Sequence, residues 1–337
     1  MERYKLTRIV EMGSYLAVKY CMDFGRVALD QLDKIDFSLV PDPPLTEQVL
    51  GGARFAGAKL FLGATRWTVP EWSGTLYPRK AKAADFLTSY SRQFNTVELN
   101  ATHYKLYGRD ELLKWVNQVD TVSDSVNHSG EFVFCPKLFQ GISHRGALKG
   151  KEELVRSFVE SVQVLDEGVK TRLGPVFIQL SDQFSPARQV ELLEFLASLP
   201  VGIQWMLELR HAAWFEQSQR MADFYRTLSD LKIGLVITDV AGRRDVCSML
   251  VTVPRVLIRF VGNQGHPTDF TRIDAWANRL QQWYQSGLES ACFFLHLGKE
   301  ELVPSFGIYV GRIFKEQTGI DTAIPVLEEE PTQGKLF

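Results

Sequence analysis

From residue 58 onward, short apolar segments of strand length alternate with amphipathic segments of helix length, and this rhythm limits the possible folds more than any other feature. The strand candidates are AKLFLGA (58–64), TVELNAT (96–102), FVFCPK (132–137), VFIQLSD (176–182), IQWMLELR (203–210), IGLVITDV (233–240), RVLIRFVG (255–262) and SACFFLHL (290–297). Eight strands apolar on both faces and separated by helices predict an α/β chain folded as one parallel (β/α)8 TIM-like barrel. An open doubly wound sheet is the alternative. No GxGxxG or GxxxxGK[ST] run opens the first strand–helix unit, which lowers it.

Helical spacing fills the gaps. Phe86, Leu87, Tyr90 and Phe94 share one face, and Trp214, Met221, Phe224, Leu228 and Leu231 share another. Ser185 followed by Pro186 predicts an N-cap with proline at the first helical position. Gly319 predicts the stop of a last helix that begins near Pro304. Residues 1–57 read as a weakly patterned N-terminal extension and linker, 58–319 as the barrel, and 320–337 as a flexible acidic tail. Met22 begins a stretch that would itself serve as a start, so residues 1–21 read as an upstream extension.

Composition excludes several classes. Thirty-eight basic against 40 acidic residues give a net charge of −2, which leaves no general basic coat for nucleic acid. No apolar run approaches the roughly 18 residues of a membrane-spanning helix, and Glu11 and Lys19 break the N-terminal apolar stretch. Cys21, Cys135, Cys247 and Cys292 are far apart with no CxxC pair, which points to reduced thiols and a cytoplasmic location.

In a parallel barrel, chemistry sits at the C-terminal ends of the strands, and polar residues gather there. Strand two ends in Glu98, Asn100 and Thr102, at alternating positions that a continued strand would place on one face. Strand three ends in Lys137, and strand four carries Gln179. Strand five carries Glu208 and Arg210 on one face and is followed at once by His211; Asp239 ends strand six, Arg259 lies on strand seven and His296 ends strand eight. Glu98, Lys137, Glu208, Arg210, Asp239 and Arg259 are expected to converge, either as a buried ion-pair plug or as a pocket that binds an anion and moves protons. If aromatic loops seal the mouth, the plug reading holds. Lys137 is a candidate Schiff-base lysine or an electrostatic partner. His144 and His211 are candidate acid–base groups or plain caps. The GNQGH loop (262–266) could cradle a phosphate or form a plain turn. No cofactor motif is present; Glu98, Glu208, Asp239 and His296 carry donors suited to a divalent metal, without any fixed ligand spacing.

Taken in order, GATRWTVPEWSGTLYP (63–78), TVELNATHY (96–104), FCPKLFQGISH (134–144), VFIQLSDQF (176–184), LELRHAAWF (207–215) and ITD (237–239) closely resemble the YecE-like family, the domain of unknown function numbered seventy-two. The similarity spans roughly residues 58–318. The resemblance implies a TIM-like barrel and leaves the activity open. It carries over at Trp67, Glu98, Asn100, Tyr104, Lys137, His144, Gln179, Glu208, Arg210, His211, Asp239 and Arg259. The chain departs from the family pattern at Arg66, His103, Val261 and around Leu295 and His296.

Two functions follow as expectations. The first is an enzyme of the hydrolase or lyase class acting on a phosphate-bearing or sugar-like substrate, with DNA as one location. Its catalytic candidates are Glu98, Lys137, His144, Glu208, His211 and Asp239; its substrate-binding candidates are Asn100, Tyr104, Gln179, Arg210, Arg259 and Trp67. The second is a non-catalytic binding protein or adaptor. The C-terminal Gln333-Gly334-Lys335-Leu336-Phe337 resembles the QxxLF peptide that docks on the bacterial sliding clamp, with Gln333, Leu336 and Phe337 as partner-binding candidates.

Overall fold

The structure is a computed structural model that describes residues 24–122 and 131–328. Its eight strands are β1 (Lys59–Ala64), β2 (Thr96–Leu99), β3 (Val133–Pro136), β4 (Val176–Gln179), β5 (Trp205–Glu208), β6 (Gly234–Asp239), β7 (Arg255–Val261) and β8 (Ser290–His296). Every ladder between them is parallel, in the order β3-β2-β1-β8-β7-β6-β5-β4. The ends of that order meet through bridges of Phe134 to Leu173 and Lys137 to Phe177, where Leu138 N donates to Phe177 O at 2.9 Å. The sheet is therefore a nearly closed barrel, as the alternation predicts.

Each strand alternates between an inward and an outward residue. Phe61, Val133, Cys135, Phe177, Met206, Val236, Leu257, Cys292 and Phe294 fill the interior. Gly63 belongs to this wall for a steric reason: a Cβ there would lie 2.0 Å from Thr96 O, so only glycine lets β1 approach β2. The outward residues pack against the helical ring. The helix Glu152–Gln163 buries Val155, Phe158, Val159 and Val162, one stripe at three- and four-residue spacing. Ser185 accepts from Ala187 N at 3.4 Å, as its place before Pro186 predicts. The last helix runs Val303–Thr318 and stops at Gly319, whose φ of 66° is the left-handed conformation that glycine adopts without strain.

Both ends of the described chain extend the packed structure beyond the 58–319 expected from pattern alone. In the N-terminal segment, Thr46 Oγ1 donates to Met249 O at 2.9 Å and accepts from Val251 N at 2.8 Å. Asp42 there meets Arg279 and accepts from Trp283 Nε1 at 2.9 Å. Residues 320–328 are not the start of a solvated tail. Ile320, Thr322 and Ala323 are buried, and Glu328 N donates to Thr75 O at 2.7 Å. Ile320, Thr322 and Ala323 are small or apolar enough to be buried, which seats this strap despite its prolines and glutamates. Residues 1–21, together with Gln333, Leu336 and Phe337, lie outside the described residues. Among the described residues, no helix is long and apolar enough to cross a membrane.

Candidate active site at the barrel mouth

The C-terminal ends of seven strands, β2 to β8, build one buried polar layer above the apolar interior. Arg259 is its centre. Its Nε donates to Glu98 Oε2 at 2.9 Å and its Nη2 to Glu98 Oε1 at 3.0 Å. Its Nη1 reaches both oxygens of Glu208, at 3.0 and 2.9 Å. Arg210 Nε donates to Glu208 Oε1 at 2.7 Å and its Nη2 to Gln179 Oε1 at 3.0 Å. Lys137 Nζ donates to the same Gln179 oxygen at 2.9 Å, and Thr238 Oγ1 completes the set on Glu208 Oε1 at 3.1 Å. Glu98 also accepts from Asn100 Nδ2 at 2.9 Å and pairs with His296 Nε2 at 2.9 Å.

These contacts set the protonation states. Burial works to raise the carboxyl of Glu208, but Arg210, Arg259 and Lys137 outweigh it and hold the group down at about 2. Glu98 lies well below the ordinary carboxylate range in the same way: Arg259 and His296 overcome its burial. Both are ionised at neutral pH, so neither has a proton to give. Among the described residues the layer brings three cations, Lys137, Arg210 and Arg259, together with two carboxylates, Glu98 and Glu208. Because Glu98 is a carboxylate, His296 Nε2 is the donor in this contact.

Above the layer opens a cavity of about 450 Å³. Its floor includes Glu98, Arg210, Thr238, Arg259 and His296. Trp67, Tyr104, Tyr107 and Trp115 supply aromatic lining, and Trp67 meets Trp115 edge-on at 5.2 Å. The aromatic loops leave the mouth accessible: Trp72 and Trp214 are fully buried among the outer packing. Lys137, Gln179 and Glu208 lie beneath the floor and do not line the cavity. They shape its charge from below.

Several sequence expectations need correction. Asp239 does not join the layer. Thr238 points inward to Glu208, so by strand parity Asp239 points outward, where Trp276 Nε1 donates to it at 2.8 Å and Arg272 and Arg244 pair with it. Thr102 leaves the strand as well: the chain turns into the short helix Ala101–Tyr104, and Thr102 Oγ1 donates to Leu99 O and Lys137 O at 2.9 and 2.8 Å. His211 caps the turn Ala212–Phe215 by accepting from Ala213 N at 3.2 Å. His144 packs edge-on against His103 at 5.0 Å and bonds Ser143 Oγ at 2.8 Å, away from the cavity lining. Partial desolvation and then the Lys137 and Arg210 charges lower its pKa to about 4, so it is neutral near pH 7. The GNQGH loop has its anion already: Asp269 accepts from Asn263 N at 2.8 Å and from Gly265 N at 3.0 Å, so those donors are not offered to a phosphate.

The four metal-donor candidates do not converge either. Asp239 faces the opposite side of the sheet, and Arg259, Asn100 and His296 occupy the oxygens of Glu98. Among the described residues, no group of three or more His, Cys, Asp or Glu side chains is arranged to hold a metal ion. The sequence reading missed the acid–base geometry of His296, the wall residues Tyr107 and Trp115, and Phe24 and Arg26 at the rim. His296 was legible as a polar strand end. The rim residues carried no signal, because they come from a segment without pattern.

Comparison with known proteins agrees with this architecture. A model of the family described as "Protein of unknown function DUF72" matches residues 61–313. The UPF0759 protein YecE of Escherichia coli strain K12 is 28% identical over 296 residues, covering 82% of this chain and 100% of that protein. The UPF0759 protein YecE of Escherichia coli O157:H7 is similar to the same extent, 28% over 296 residues. Among solved structures, a DUF72 family protein from Enterococcus faecalis V583 superposes with a TM-score of 0.56 at 18% identity, over 78% of this chain and 98% of that one. A DUF72 family protein from Thermotoga maritima MSB8 gives 0.51 at 18% identity, over 71% and 92%. At that identity the two structures speak to the fold alone.

Proposed function

This chain belongs to the DUF72 family, and from that premise we propose that its barrel mouth is an acid–base site for a phosphate-bearing or sugar-like anion, with chemistry of the hydrolase or lyase class. One observation carries the reading: an open aromatic-walled cavity has two arginines, Arg210 and Arg259, and His296 in its floor. A bound anion would meet the cations gathered at and beneath the floor.

The division of labour follows from the contacts. Among the described residues Arg210 donates through Nε and Nη2, so its Nη1 is the guanidinium nitrogen offered to a ligand oxygen at the floor. Glu98 orients His296 and stabilises the imidazolium, and His296 Nδ1 takes the proton from a reacting hydroxyl or water and returns it to the leaving group. Glu208 and Lys137 act from below by fixing Arg259 and Arg210. Asn100 and Tyr104 are substrate-positioning groups on the wall, and Trp67 is a stacking surface for a sugar ring. Docking of Gln333, Leu336 and Phe337 on a bacterial sliding clamp belongs to the same proposal as a statement of where the protein works. Clamp affinity of the full chain that is unchanged by Leu336→Ala with Phe337→Ala removes that part.

The test is His296→Gln. The purified wild-type chain is examined by native mass spectrometry for a retained anion, then assayed against phosphomonoesters, phosphodiesters and sugar phosphates. The variant should keep the ligand and lose turnover by roughly a hundredfold or more, the usual worth of a general acid–base group. Turnover unaffected by His296→Gln would remove the acid–base role.

A further inference from the structure

We infer that Phe24 and Arg26, which precede the region matched by the family model, determine specificity at the barrel mouth: Arg26 reaches from the rim to the phosphate of a phosphorylated sugar that Arg210 meets from the floor, and Phe24 supplies an apolar cover over the floor. This rests on the reading of the mouth as an anion site and names the substrate class more closely.

Three observations support it. First, the family match begins at residue 61, yet Phe24 and Arg26 both line the cavity together with Glu98, Arg210, Arg259 and His296. Second, the placement is built. Gly25 has φ of 71°, its carbonyl accepts from Gly242 N at 2.7 Å, and a Cβ on it would come within 2.9 Å of Val240 Cγ1. Glycine is thus required for the chain to lie so close to the end of β6, and this pin holds its two neighbours at the mouth. The Phe24 ring stacks on the Arg210 guanidinium at 4.4 Å and on Arg243 at 4.8 Å. Third, the two rim arginines differ. Arg66 is paired with Glu300 at 2.5 Å, whereas Arg26 makes no ion pair or hydrogen bond among the described residues. Its guanidinium lies over Gly298, at the end of β8, where a Cβ would meet Arg26 Nη2 at 2.9 Å. An unpaired cation at the edge of a cavity, held there by a pinned backbone, is placed to receive an anionic group that reaches out from the floor.

The experiment is titration calorimetry on the full chain with ribose 5-phosphate, glucose 6-phosphate, inorganic phosphate and ribose. Wild type should bind at least one sugar phosphate more tightly than ribose. Arg26→Ala should weaken that binding roughly tenfold and leave ribose unchanged, and Arg26→Lys should recover part of the loss. Phe24→Ala should weaken sugar phosphate and ribose alike, because it removes apolar cover and not charge. Thermal melts accompany each variant; both side chains are partly or largely exposed, so the melts should stay within a few degrees of wild type. A wild type that binds sugar phosphate with an Arg26→Ala variant of equal affinity overturns the inference and leaves the anion site standing. A wild type that binds none of the four probes removes both.

Discussion

Two buried ionic clusters lie on opposite faces of the same sheet, and they differ in composition and in access. Outside the barrel, Arg244 and Arg272 meet Asp239 and Asp269, two cations against two carboxylates. Trp276, Phe37 and Phe260 enclose them, with Arg272 stacked on Phe260 at 4.2 Å and on Phe37 at 5.1 Å. Inside the barrel, Lys137, Arg210 and Arg259 share a layer with Glu98, Glu208 and Gln179, and that layer opens into the cavity. Burial and ion pairing are common to both. What sets the inner layer apart is its cluster of cations next to space that a ligand can enter.

The largest expected effect tests the outer cluster as a purely structural device. Arg272→Met removes a partner from both Asp239 and Asp269 and should destabilise the fold by about 3–5 kcal/mol, the cost of stranding a buried charge. Chemical denaturation measures it, and anion binding by the folded protein should be unaltered. A second, smaller effect separates the clusters directly. Glu208→Gln takes a carboxylate away from the inner cations and should cost about 2–3 kcal/mol. Added phosphate should then raise its melting temperature more than it raises that of wild type, since an anion replaces the lost charge. Asp239→Asn should gain nothing from phosphate. Equal gains in the two variants would erase the distinction drawn here.

The pH dependence should be smaller still near neutrality and grow on acidification. Glu208 is held at about 2 and Glu98 is lowered as well, so their contribution is complete above the ordinary carboxylate range near 4.5 and is lost as the pH falls toward 2. His103 adds an earlier onset. It is buried, with Nδ1 2.7 Å from Leu138 O, and burial and then the charge of Lys137 lower its pKa from 6.5 to about 2. Its native state thus binds fewer protons than the unfolded chain below pH 6.5, and stability falls as pH drops through that window. The smallest effect is therefore His103→Asn, which should flatten the slope of unfolding free energy between pH 6.5 and pH 4.5. An unchanged slope would assign that onset elsewhere.

Much of the site was legible for the same reason as the fold. Glu98, Lys137, Gln179, Glu208, Arg210 and Arg259 each sit at the polar end of an apolar run, and strand polarity in a parallel barrel gathers such ends at one rim. Asp239 met the same criterion and failed. A run apolar on both faces, such as GLVITD, gives no parity, so nothing local says whether Thr238 or Asp239 faces the interior. His211 looked catalytic because it follows Arg210, but once the strand ends its orientation is set by the turn that it caps.

By itself the sequence determined the elements and their order, because helix and strand periods and caps such as Ser185 and Gly319 act over a few residues. It also determined which face of each helix is apolar. Only the tertiary structure decided how polar groups from seven strand ends share partners, and which carboxylate, Glu98, meets His296 across a sequence separation of 198 residues. It alone brought Phe24 and Arg26 to the mouth. Their placement depends on Gly25 fitting against Val240 and Gly242, and a close approach between distant segments leaves no period or motif along the chain.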